Sequence, residues 1–240
     1  MQYKLFTDKG KRELNEDYIG MTNRDGRYLF VLADGLGGHG KGEVASQLVV
    51  ENVIQYYTQQ SSIPSIEDCI EYAQKQLLMR QRAEGDKEGM KTTIVVLELA
   101  DGMARWAHVG DSRLYRFHKN HVVQRTLDHS VPQMLVASGE IKEKEIRGHE
   151  DRNRLLRVMG VEWNRPMYEV SDWVPIKKCQ AFLLCTDGFW ELIEEKQMEK
   201  LLKKPKSLDV WVEEMVHTIR QNGAGIDMDN FSAIAVLMDA

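Results

Sequence analysis

The chain has 240 residues, with 32 lysines and arginines against 37 aspartates and glutamates and a net charge of −5. A chain of that length buries roughly 70–75% of its unfolded surface, so it needs no staple to hold a core, and its acidic balance excludes general nucleic-acid binding as an electrostatic function. Three cysteines in no pairing pattern, a start (Met1-Gln2-Tyr3-Lys4) that lacks a basic-then-apolar leader, and no stretch near 18 apolar residues lead to the expectation of a cytoplasmic protein without membrane contact.

In chain order, residues 3–7, 18–22 and 28–33 read as strands, with hairpin-turn residues Asn23-Arg24-Asp25-Gly26 between the last two. A helix is expected from residue 43 to about 58, where Ala45, Leu48, Val49, Val53, Tyr56 and Tyr57 recur at three- and four-residue spacing. A second starts at Ser65, which forms a capping-box variant with Asp68, and carries the stripe Ile66, Ile70, Ala73 and Leu77. The charged stretch 82–91 reads as a loop. Four β segments follow at 92–99, 103–109, 112–117 and 121–125. Short helices are expected at 128–138 and 141–146, then a polar, arginine-rich stretch at 147–164 and strands at 167–173 and 181–186. Leu208, Trp211, Val212, Met215, Val216 and Ile219 mark a last helix, and 231–238 a last strand. Strands in blocks and helices in pairs, with no linker and no repeat, predict one α+β domain over 1–240 with largely antiparallel sheets.

The stretch Ala33-Asp34-Gly35-Leu36-Gly37-Gly38-His39-Gly40 sets an acid at the end of an apolar strand and glycines ahead of a helix. Glycine there permits positive φ and close backbone approach. Other strands are followed or opened by acids in the same manner: Gly110-Asp111, Thr186-Asp187-Gly188, Asp229-Asn230 and Asn15-Glu16-Asp17. One Asp-Gly alone is a turn. Five such sites, if the strand ends share a rim, make a carboxylate cluster that needs cations. All-oxygen donors suit Mg²⁺ or Mn²⁺, whereas the seven histidines are scattered and His118-x-x-His121 straddles a turn, which argues against zinc. Two such ions, roughly 3.5–4 Å apart with a hydroxide between them, perform hydrolysis of phosphate esters. Arg12, five residues before Asp17, is the candidate to grip the phosphate.

In this order the motifs Arg12-Glu13-Leu14-Asn15-Glu16-Asp17, Asp34-Gly35-Leu36-Gly37-Gly38-His39, Gly110-Asp111-Ser112-Arg113, Thr126-Leu127-Asp128-His129-Ser130, Thr186-Asp187-Gly188 and Asp229-Asn230 resemble the metal-dependent Ser/Thr protein phosphatases of the PPM, or type 2C, group, bacterial branch. The resemblance spans Arg12 to Val236. It implies a four-layer α-β-β-α sandwich of two antiparallel sheets, and hydrolysis of phosphoserine and phosphothreonine in proteins by a metal-bridging hydroxide. It implies that Asp34 bridges two Mn²⁺ or Mg²⁺ ions and that the Gly35 carbonyl binds one of them. Asp187 and Asp229 complete the other, and Asp111 with Asp187 offers a third, weaker position. Glu16, Asp17 and Asn230 support the metals from behind, Asp17 through bound water, and Arg12 holds phosphate. A flap at about 137–160, with Arg147, His149 and Arg154, borders the site. A monomer acting on phosphoproteins and opposing a bacterial Ser/Thr kinase is the implied setting. The chain departs from the family's pattern at Lys91-Thr92-Thr93 (family Gly-Thr-Thr) and His149-Glu150 (family His-Pro), both expected to lie clear of the ligands. Leu36 stands where eukaryotic members have a histidine acid, which leaves the proton donor to His39 or to a metal-bound water.

Two rivals stand beside this reading. Gly35-x-Gly37-x-x-Gly40 is a formal dinucleotide fingerprint and Gly35-x-x-x-x-Gly40-Lys41 a near Walker A, but the first lacks its later strand-end acid and the second has Gly42 in place of Ser or Thr. A phosphatase-like module that only binds phosphoprotein is the other, although every proposed carboxylate is present.

Overall fold

The computed structural model describes residues 1–36, 40–86, 89–203 and 207–238. Its strands are β1 (Gln2–Asp8), β2 (Asp17–Arg24), β3 (Arg27–Asp34), β4 (Ile94–Ala100), β5 (Met103–Val109), β6 (Arg113–His118), β7 (His121–Arg125), β8 (Glu169–Val170), β9 (Val174–Pro175), β10 (Ala181–Cys185) and β11 (Phe231–Leu237). Its α-helices are α1 (Gly42–Gln59), α2 (Ile66–Glu84), α3 (Val131–Ser138), α4 (Asp187–Trp190), α5 (Glu195–Leu202) and α6 (Leu208–Asn222). Two antiparallel sheets result, ordered β1-β11-β10-β6-β7 and β2-β3-β4-β5-β8, with β9 also on β5.

Strand alternation builds the layers. Phe30, Leu32, Val95, Leu97, Phe182, Leu184, Ile234 and Val236 meet between the sheets with Trp106 and Leu114. Their neighbours Leu29, Val31, Ala33, Ile94 and Val96 face the other way, onto Val49, Val53, Ile70 and Ala73 of α1 and α2. Leu183, Cys185, Ala233 and Ala235 face Trp190, Trp211, Met215 and Ile219 of α4 and α6. Both faces of the central strands are therefore covered, which is why they read as unbroken apolar runs. Each large apolar side chain fully buried in this way contributes about 1.5–3 kcal/mol. The four layers are those the motifs imply. Among the described residues, no helix is long and apolar enough to cross a membrane.

The α2 start follows the cap read in the sequence, and α3 starts on a cap not marked there. The Ser65 hydroxyl accepts the Asp68 N–H and Asp68 caps back onto Ser65, and Ser130 caps α3 through the Gln133 N–H. Three local expectations change. The strand expected at 167–173 is two short pieces, β8 and β9, because the Ser171 hydroxyl takes the Trp106 N–H and breaks the ladder on β5. The helix expected at 141–146 is a 3₁₀ turn, Glu143–Gly148. The loop expected from residue 82 begins only after α2 ends at Glu84, with Gly85 in the left-handed conformation.

Candidate active site

The register of two strands brings the first acids together. β2 and β3 pair so that Asp17 stands directly opposite Asp34 at the sheet end. Like charges there repel, so the position requires something that compensates them. In the second sheet, β10 ends at Cys185 opposite Arg113 and Ala233. Asp187 therefore lies just past β10, Asp111 just before β6, and Asp229 just before β11. The strand ends share one rim.

A cleft of about 750 Å³ opens on that rim, lined by Arg12, Glu16, Asp34, Gly35, Asp111, Asp187, Asp229 and Asn230, among others. Burial and the neighbouring charges of Asp187, Asp17, Asp111 and Asp229 push Asp34 well above the usual carboxylate range. Burial, then Asp187, raises Asp111 strongly. Burial lifts Asp17 to about 8, with Asp187 adding to it against the hydrogen bond from Thr186. Asp187 rises to about 6 through burial and Asp229. Asp17 Oδ2 accepts the Thr186 hydroxyl at 3.0 Å, while its buried Oδ1 has no partner among the described residues. An all-oxygen set with one orphaned buried oxygen, crowded until protons are retained near neutrality, fits a hard divalent cation.

The backbone around the cleft is held closely. A Cβ on Gly35 would fall 2.2 Å from the Gly42 carbonyl oxygen, so glycine serves close approach here rather than positive φ. The Asp34 carbonyl accepts the Thr93 N–H at 2.9 Å and the Thr92 hydroxyl at 2.7 Å, and the Thr93 hydroxyl accepts the Asp34 N–H at 3.0 Å. Lys91-Thr92-Thr93 is thus not clear of the site: its threonines anchor Asp34, and Lys91 lines the cleft. Buried Asn230 accepts the Glu16 N–H at 2.8 Å and donates to the carbonyls of Lys9 and Leu14 at 2.9 Å. It clamps the loop that carries Arg12 and Glu16. Arg12 Nη2 meets Asp229 Oδ2 at 2.9 Å, with both side chains partly exposed to the cleft.

The flap residues divide differently from the expectation. Arg147 turns away from the cleft, donating to the carbonyls of Trp190 and Ile193 and to Glu195 at 2.9 Å. His149 Nδ1 accepts the Asp151 N–H, and neither it nor exposed Arg154 lines the cleft. Asn153, Leu155, Leu156 and Val158 line it instead. Arg152, ion-paired with Glu191 at 3.2 Å, borders an adjoining recess with Asp187 and Asp229. Burial and Asp187 lift Glu191 to about 7. The arginine-rich composition of 147–164 signalled basic character but not which arginine faces the acids. Gly37, Gly38 and the candidate donor His39 lie outside the described residues.

A second titratable grouping among the described residues is His108, His129 and Glu169. It is not built as a metal centre. His129 Nδ1 faces the Gly110 N–H at 3.2 Å, so a neutral ring carries its proton on Nε2, which meets Glu169 at 3.2 Å with Arg157 beside it. The Arg157 guanidinium 3.2 Å from that nitrogen repels a cation there.

A two-sheet sandwich with acids gathered at strand ends beside an arginine is the build of a metal-assisted phosphate-ester hydrolase. The chain belongs to the protein phosphatase 2C family, whose profile, described as "Protein phosphatase 2C", matches residues 9–231. It is 33% identical to the serine/threonine phosphatase stp of Listeria monocytogenes over 100% of this chain and 96% of that one. It resembles the crystal structure of serine/threonine phosphatase Stp1 from Staphylococcus aureus, with a TM-score of 0.90 at 27% identity, covering 100% of this chain and 95% of that one. It also resembles the catalytic domain of serine threonine protein phosphatase PstP in complex with two manganese ions, with a TM-score of 0.80 at 26% identity, covering 99% and 98%.

Proposed function

We propose that this protein hydrolyses phosphoserine and phosphothreonine esters in proteins, using divalent cations held by Asp34, Asp187, Asp229, Asp111 and the Gly35 carbonyl. The observation that carries the reading is the register that opposes Asp17 to Asp34 beside three further aspartates on one cleft. Bound Mn²⁺ or Mg²⁺ supplies a water activated for attack and neutralises charge developing on the phosphoryl group. Two ions suit the Asp34, Asp187 and Asp229 set, and Asp111 offers a third position.

Arg12 stands on the cleft beside Asp229 and presents a guanidinium fork to the phosphate. Asn230 fixes the loop that aims it. Glu16 borders the cleft, and Asp17 supports it from behind, held by Thr186. Water adds to phosphorus, the ester P–O bond breaks, and the Ser or Thr oxygen leaves with a proton. Leu36, on the cleft wall, has no proton to give. The substrates are phosphoproteins of a Ser/Thr kinase pathway, met by a cytoplasmic monomer.

A phosphothreonine peptide incubated with the protein and Mn²⁺ is expected to release phosphate, and excess chelator to stop the release. Release that survives chelation, or none with Mn²⁺, overturns the reading.

A further inference from the structure

Gly110 is the residue before Asp111, and its backbone is unusual. Its φ is +103°, a conformation that favours glycine, and a Cβ there would lie 2.6 Å from the Thr93 side chain. Thr93 is the residue that fixes the Asp34 backbone. The Gly110 peptide is also gripped twice by His129. The Gly110 N–H donates to His129 Nδ1 at 3.2 Å, and the His129 N–H donates to the Gly110 carbonyl at 2.9 Å.

His129 reaches the flap as well. Its carbonyl accepts the Leu156 N–H at 2.7 Å, and Ser130 bridges to Leu155. Leu155 and Leu156 line the cleft. The ring is held in one orientation: it stacks on His108 at 4.5 Å, and Nε2 meets Glu169 at 3.2 Å. Burial, then the charges of His108 and Arg157, push His129 down to about 4, so the ring stays neutral with Nδ1 free to accept. Its neighbour Asp128 is locked to Arg113 by two bonds of 2.8 and 2.6 Å.

We propose that His129 is a positioning residue, whose Nδ1 and N–H fix the Gly110 peptide, and so the entry of Asp111 into the cleft, while its carbonyl ties that peptide to the flap. This rests on the reading of Asp111 as a cation ligand. Removing the Nδ1 acceptor strands a buried N–H and leaves Gly110 held by the His129 backbone bond alone of the two. Residues that orient a metal ligand typically change affinity 10–100-fold when lost.

Three variants separate the atoms of the ring. His129→Asn sets an amide oxygen near the place of Nδ1 and keeps the acceptor. His129→Gln reaches toward the Nε2 end and loses it. His129→Phe keeps the stack on His108 and has no acceptor. Mn²⁺ binding is followed by calorimetry, alongside kcat and KM as functions of Mn²⁺ and a thermal melt of each variant. The expected result is about tenfold weaker binding of the most weakly held Mn²⁺ in H129F and H129Q, with a matching rise in the Mn²⁺ needed for half-maximal kcat. H129N stays within about threefold of the parent, as expected when the conservative variant restores an outer contact. Parental Mn²⁺ affinity in H129F, or H129N behaving as H129F does, overturns the proposal. Should H129F fail to fold, H129Q against H129N decides alone. Asp111→Asn runs in parallel. If D111N keeps every Mn²⁺ position, the assignment of Asp111 has failed and the proposal with it. If D111N loses one while H129Q keeps parental affinity, only the positioning role has failed.

Discussion

Two regions of this molecule gather buried charge, and they differ in how it is balanced. Around Arg113 every charge has an answer. Its guanidinium makes two bonds to Asp128, a third to the Tyr115 hydroxyl, and lies 3.4 Å above the Trp190 ring. Tyr115 donates to Glu195 at 3.0 Å, and Glu195 also receives Arg147 at 2.9 Å. On the cleft, Asp34, Asp111, Asp187 and Asp229 line one space with Asp17 buried behind, and among the described residues Arg12 makes its ion pair with Asp229. A saturated network specifies a fold. An unsaturated one asks for a ligand. Asp111 and Arg113 come from one four-residue motif, yet they belong to opposite regions.

The largest effect expected to separate the two regions follows from Asp34→Asn. Turnover of a phosphothreonine peptide with Mn²⁺ is expected to fall by about 10³-fold or more, as when a main electrostatic group is lost. The melting temperature in chelator is expected to hold or rise, because one repelling carboxylate has gone. A loss of stability that accounts for the loss of turnover breaks the contrast. Next is Asp128→Ala, which leaves Arg113 buried without its main counter-charge and is expected to cost about 3–5 kcal/mol in denaturant unfolding. Turnover per folded molecule is expected to stay within a fewfold. Unchanged stability would move the Arg113 network out of the structural region.

How much of this was legible follows the same division. The apolar runs around Phe30, Val95, Leu183 and Ile234 announced central strands, because burial on both faces leaves its mark in composition. The acids at strand ends were visible because each directly follows or opens such a strand. α5 was not legible: only Met198 and Leu202 are buried along it, too few for a stripe. The direction of Arg147 was not legible either, since its partners Trp190, Ile193 and Glu195 lie over forty positions away and nothing local marks them. Asn230 shows the same limit. It sat in a recognisable Asp-Asn pair, but its role in clamping the Arg12 loop comes from contacts with Lys9, Leu14 and Glu16 at the other end of the chain.

A smaller effect is expected from Arg12→Ala. The side chain is half exposed and pairs with Asp229, so the fold is expected to tolerate its loss. One charged hydrogen-bonding group contributes about 1.5–3 kcal/mol, which corresponds to roughly 10–100-fold in kcat/KM. The loss is expected mainly in KM for the phosphopeptide. Unaltered steady-state constants would remove Arg12 from the cleft's function.

The smallest effect is a slope, and the two regions give it opposite signs. Asp17 and Asp187, lifted to about 8 and about 6 by burial and by neighbouring acids, hold protons in the folded chain that the unfolded chain has released above about 4. Their contribution to stability is complete below that pH and is lost as pH rises through about 6 and then about 8. Burial works to raise Glu195 as well, but the hydrogen bond and charge of Arg147 outweigh it and hold that carboxyl below its usual value. Its contribution is present above the unfolded value and lost on acidification. In chelator, the melting temperature is therefore expected to peak on the acidic side and to decline by a few degrees toward pH 8, about 4–8 °C being the response of a small domain to each kcal/mol and about half that at this size. Saturating Mn²⁺ is expected to remove the decline, because a bound cation displaces the retained protons and binds more tightly as pH rises. The Arg147→Met variant should lose only the acidic limb, and Asp34→Asn should flatten only the alkaline one. Equal slopes with and without Mn²⁺ would show that the cleft acids are already satisfied within the protein, and the difference between the two regions would vanish.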